Sequence, residues 1–132
     1  MTWNAGGWFG MLVGGTCWIA ICSVLTISHD VAVSGMVSAV FLSANVVGTL
    51  IWFSRDRVSA FIGIQTLLIV IGGAGLVAIF IIDRFGLWHI IQGVGGTVSA
   101  LQMYMLLAVT MAGLFGLFWS LNRGHAEDGP VE

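Results

Sequence analysis

Apolar residues fall in four long blocks, and the polar stretches that interrupt them are short. The first block covers residues 6–27, the second 31–53 and the third 58–82. After Asp83-Arg84 a fourth apolar stretch runs from Phe85 to Leu121. At about 1.5 Å per residue, each of the first three blocks is long enough to cross a hydrocarbon core of about 30 Å as a helix. The fourth would exceed about 50 Å as one helix, too long for a single crossing. Gly93, Gly95 and Gly96 offer a break. The pattern therefore predicts a short interfacial element over 85–92 and a fourth span over 97–121. The expected fold is all-α: a polytopic membrane protein whose domain, residues 1–121, is a bundle of four transmembrane helices. A polar tail over 122–132, holding the single proline Pro130, is expected to be the most mobile part.

Composition turns this pattern into a statement about solvent. Hydrophobic residues make up 58% of the 132 and charged residues 8%, with a mean hydropathy of +1.04. A soluble domain carries nearer ~25% charge, so this chain lacks the polar surface to face water all round. A formal net charge of -2 does not point to a nucleic-acid partner or to a polybasic clamp for lipid, and no nucleic-acid partner is expected. There is no lysine, which excludes Schiff-base chemistry. The N-terminal block has no basic region before it, and residues 23–28 make a poor cleavage site, so it is expected to be a retained span.

The compact charge cluster Arg55-Asp56-Arg57 divides the chain into two hairpins. With four spans, the N-terminus, this loop and the C-terminus lie on one side. That side carries Arg55, Arg57 and Arg123, whereas Arg84 stands alone on the other. The positive-inside rule makes the first side cytoplasmic. Trp3, Trp8, Trp52, Phe53, Phe118 and Trp119 gather at the same boundary, and Phe80, Phe85 and Trp88 mark the opposite one. A multi-pass protein of a bacterial inner membrane, with both termini cytoplasmic, is the expected setting. Trp18 lies deep in the first span, outside either aromatic belt, and is expected to pack or to meet a partner.

Small residues recur at helical spacing. Gly6, Gly10 and Gly14 form one stripe, Gly35, Ala39 and Ser43 another, and Ala108, Ala112 and Gly116 a third, continued by Ser120. Ala44 and Gly48 form a further pair, and Gly72-Gly73-Ala74-Gly75 inside the third block is either a tight packing point, the favoured reading, or a soft place in the helix. In lipid such stripes let helices approach closely, within a chain or between chains.

Chemistry inside the spans is sparse. No Asp, Glu, Lys, Arg or His lies at the centre of any block, which removes the usual basis of a proton relay. In size the chain resembles the small four-span multidrug exporters. Their function rests on a glutamate in the first span, and the first glutamate here is Glu127, so the resemblance stops at size. Paired-histidine haem ligation fails too, because His29 and His89 share the outer end and His125 lies in the tail. Cys17 and Cys22 are five residues apart, roughly 140° around a helix, and cannot bond to each other within one helix. Met103 and Met105 point about 200° apart and cannot clamp one ion. No phosphate loop, nucleophile motif or CxxC is present.

Two constellations remain. Asn45 and Gln65 lie at similar depth, about 12 Å inside their spans, near Thr16, Thr66 and Thr110. They are expected to satisfy each other across the second hairpin, as interhelical glue or as the polar waist of a pore. At the outer end His29, Asp30, Asp83 and His89 are residue types that bind divalent metal, with Arg84 beside Asp83. Their spacing is no metal motif, and ordinary interfacial polarity accounts for them. The expected function is a small non-enzymatic membrane subunit that works through helix contacts. Its partners would be membrane lipids and either further copies or other membrane subunits. The alternative is a small oligomeric channel or facilitator with a waist at Asn45 and Gln65.

Overall fold

The computed structural model describes residues 2–127 of the chain. It contains five helices: α1 (Ala5–Thr26), α2 (Val31–Phe53), α3 (Ala60–Arg84), α4 (Trp88–Gly95) and α5 (Ala100–Glu127). Four of them are long and apolar enough to cross a membrane, and α4 is the short one.

The boundaries follow local hydrogen bonding. Asn4 begins α1 by accepting from the Gly7 N–H at 3.2 Å. Asp30 begins α2 by accepting from Ala32 at 2.9 Å and Val33 at 3.1 Å, which occupies two of the amides left open at a helix start. Ser59 caps α3, so that helix starts at Ala60 rather than 58 and runs on through Arg84. The short element occupies 88–95 instead of the predicted 85–92. Phe85 still belongs to the end of α3, its N–H bonded to Ile81 O, and Gly86 then turns the chain at φ +70°. The last long helix begins at Ala100 rather than 97. Ser99 and Gln102 bind each other's backbone there, Gln102 N to Ser99 Oγ at 3.2 Å and Ser99 N to Gln102 Oε1 at 2.8 Å. This is a reciprocal cap that fixes where the helix starts. It also continues past Leu121, so residues 122–127 of the expected tail are helical. The rest of that tail, 128–132, lies outside the described residues.

Helix α3 is the centre of the packing. It touches α2 and α5 along much of its length and α1 over part of it, while α1 and α2 form the closest pair. Within the chain, 44% of the apolar stretch of α3 is buried against only 6% for α5, which makes α5 a peripheral helix resting on α3. Two apolar clusters fill the interior. One, at the α4 end, joins Ile19, Val33, Val37, Ile79, Ile82 and Trp88. The other, at the end holding the N-terminus, joins Trp8, Leu12, Leu67 and Ile71.

Candidate functional site

Among the described residues no Asp, Glu, Lys or Arg side chain is buried, and the helices meet one another through apolar faces and interhelical polar contacts. The contacts between α1 and α2 come at three levels. Near the chain's N-terminal end the buried Trp8 indole donates to Gly48 O at 3.1 Å. At mid-height Asn45 Nδ2 donates to Thr16 Oγ1 at 3.1 Å and to Phe41 O at 2.8 Å. Towards the α1–α2 turn Ser23 meets Ser34 and Ser38 through their hydroxyls, and Ser34 Oγ donates to Ser23 O at 2.8 Å. The serine cluster and the Trp8 bond were not anticipated. Ser34 and Ser38 are four apart on one helix face, opposite Ser23 across a short turn, and that mirrored spacing was the available signal.

The expected Asn45–Gln65 pair does not form. Asn45 turns towards α1 and takes Thr16 as its partner. Gln65 shares a face of α3 with Phe61, Leu68 and Gly72. Phe61 meets Trp119 of α5, ring centroids 6.0 Å apart, and Gly72 meets Met111 of α5. Gln65 Oε1 is buried there with no hydrogen-bond partner. The two amides stay apart because they point to different neighbours, Asn45 to α1 and Gln65 to the side of α3 that meets α5.

The small residues divide into two sets. Gly15, Gly48, Gly63, Gly72 and Gly75 are the ones where helices touch. A Cβ on Gly48 would stand 2.6 Å from Leu12 Cδ1, one on Gly15 2.8 Å from Ile71 Cγ2, and one on Gly75 2.8 Å from Leu107 Cδ2. On Gly63 it would meet the Trp3 ring. Gly6, Gly10, Gly14, Gly35, Ala39, Ser43, Ala108, Ala112 and Gly116 all lie on the outside. At Gly10, Gly14, Gly35 and Gly116 an added Cβ would meet nothing within 4 Å. The three predicted stripes are thus free surface of this chain, and its internal packing uses other glycines. Ala39 and Ser43 border an open apolar groove between α2 and α3 of about 380 Å³, with Gly73 and Ala74 on its far wall.

The aromatic residues form clusters. Trp3, Trp8 and Trp52 meet in tilted and edge-on contacts with centroids 5.0 to 6.0 Å apart, and Phe9 joins them on Trp52. Arg55 lies over Trp52 at 5.1 Å and Arg123 over Trp119 at 5.2 Å, so both guanidinium groups rest on indole faces. Trp18 packs against Gly75, its Cζ2 3.0 Å from where a Cβ would stand.

The outer polar residues serve local structure. Asp30 caps α2, His29 Nδ1 shares a hydrogen bond with Ser28, and His89 Nδ1 donates to Gly86 O at 2.8 Å. Among the described residues no three His, Cys, Asp or Glu side chains, Asp83 included, come together as metal ligands would.

Compared with known proteins, the chain matches no family model, no curated protein and no solved structure.

Proposed function

We propose that this chain is a small non-enzymatic membrane subunit that binds other transmembrane helices through its outward small-residue faces. The observation that carries the reading is the division of its glycines. The bundle packs on one set and leaves the other open, at Gly10, Gly14, Gly35 and Gly116, with nothing of its own within reach. Hydrocarbon gives no general drive for helices to associate, so close approach along small residues is the main source of contact energy. The groove between α2 and α3, bordered by Ala39 and Ser43, is open enough to receive a neighbouring helix. The occupant is a second copy or a helix of a larger complex. Both termini and Arg55, Arg57 and Arg123 face the cytoplasm of a bacterial inner membrane, by the positive-inside rule.

A cysteine placed at Ser43, with Cys17→Ser and Cys22→Ala to remove the native thiols, tests this in native membranes. Oxidation should trap a discrete product, either a dimer of the chain or an adduct to a second membrane protein. Recovery of monomer alone would count against the reading.

One observation favours a channel as the second reading. Asn45 and Thr49 line a shallow outward depression of α2, of about 290 Å³, which would face the axis if copies assembled around it. Ion or solute flux through liposomes holding the purified chain would support that alternative.

A further inference from the structure

A half-enclosed cavity of about 210 Å³ lies between α1, α4 and the start of α5. Its walls include Trp18 and Cys22 of α1, Trp88 and Gln92 of α4, Val98 of the connector and Met103 of α5. None of the lining residues carries a charge, which selects an uncharged ligand. Both indole N–H groups are already bonded within the protein, Trp18 to Gly15 O and Trp88 to Val98 O, each at 3.0 Å. The cavity therefore presents indole ring surface rather than indole donors. Ring surface favours offset or edge-on contact with another ring, and the Met103 thioether adds a sulfur–aromatic contact. Size sets the scale of the guest, since a dry apolar cavity of about 150 Å³ takes up benzene. A somewhat larger space suits one or two fused rings. An acyl chain needs a long open groove, such as the one between α2 and α3, rather than a short half-enclosed pocket.

α4 is bracketed by Gly86 at φ +70° and Gly96 at φ +97°, the two positive-φ residues of the described chain. Glycine reaches this region without the steric cost other residues meet, which lets the chain turn sharply into and out of α4. α4 is anchored by Trp88 in the core cluster, and one carbonyl on the connector, Val98 O, ties it to the chain that follows. That carbonyl accepts from Trp88 Nε1 at 3.0 Å and from Gln92 Nε2 at 3.2 Å.

We propose that the cavity beneath α4 is a binding site for a small uncharged aromatic molecule of one or two fused rings. The test is fluorine NMR of 5-fluoroindole titrated into the full chain in lipid nanodiscs, with empty nanodiscs as the reference for partitioning. The expected result is one saturable bound resonance per chain, displaced by naphthalene and not by n-octane. Met103→Trp fills the space from α5 and should weaken binding at least tenfold while helicity and melting are kept. If that variant fails to fold, Cys22→Met fills the space from α1 and makes the same prediction. No saturable resonance above empty nanodiscs overturns the proposal. So does equal displacement by n-octane, which would mark an acyl-chain slot, or undiminished binding in a folded, filled variant.

Discussion

At the scale of single residues, polar groups in this chain find partners by local geometry. Four of the six tryptophans donate their indole N–H to a main-chain carbonyl: Trp3 to Val58, Trp8 to Gly48, Trp18 to Gly15 and Trp88 to Val98. An indole in an apolar interior needs such an acceptor, and a carbonyl already within a helix can take a second bond. The two amides within the long helices behave oppositely. Asn45 bridges α1 and α2, so Asn45→Leu should destabilise by about 0.6 kcal/mol, the usual size of such an interhelical bond. Thr16 is not orphaned by the change, because its hydroxyl still donates to Leu12 O at 2.8 Å. Gln65→Leu removes a buried oxygen that has no partner and should be neutral or stabilising. Unfolding in mixed micelles, read by circular dichroism, checks both. Equal losses in the two variants would mean that Gln65 is paired after all. Helical rise alone sets the expected depth of these amides. It does not set their direction. α1 and α2 are apolar nearly all round, so no amphipathic face tells which way a given position turns.

At the scale of elements, the number of long helices and the break before the last one follow from block length. The ends do not, because they depend on caps that a hydropathy pattern does not weigh. The Ser99–Gln102 cap moved the start of α5, and Gly86 moved α4. Spacing located the small-residue stripes, and it left open whether each met a neighbour within the chain. Gly48 and Gly35, both on α2, separate the two cases. Gly48→Ala places a methyl 2.6 Å from Leu12, which is itself 1% exposed and has no room to swing aside. It should destabilise the isolated chain by about 1–3 kcal/mol, as overpacking does. Gly35→Ala enters open space and should change stability by less than about 0.5 kcal/mol. A matched pair of melts in detergent decides it, and a large loss at Gly35 would contradict the outward placement of that stripe.

At the scale of the whole molecule, the chain is a hub on α3 with an exposed apolar exterior. α5 is the extreme case, with Leu101, Met105, Leu106, Val109 and Leu117 all turned outward. Four long apolar helices suit a bilayer, and the charge asymmetry gives the proposed orientation. A cysteine at Ser28, in the α1–α2 turn, should be labelled from outside intact cells by an impermeant maleimide. A reporter fused after Glu132 should read cytoplasmic. Labelling of Ser28 only after the cytoplasmic side is opened would reverse the orientation.

The claim that the outward small-residue faces exist to bind other helices is tested most directly by counting. The full chain, labelled and expressed at low level, is extracted from its native membrane in polymer-bounded lipid discs. Photobleaching steps then count its copies, and mass spectrometry identifies companion chains. The wild type should be found with another copy or with a constant companion. Gly10→Leu, Gly14→Leu and Ser43→Leu should each lower that fraction several-fold, while the melting of the chain itself stays unchanged. A wild-type chain that is alone in its disc, or an assembly indifferent to all three substitutions, would contradict the account.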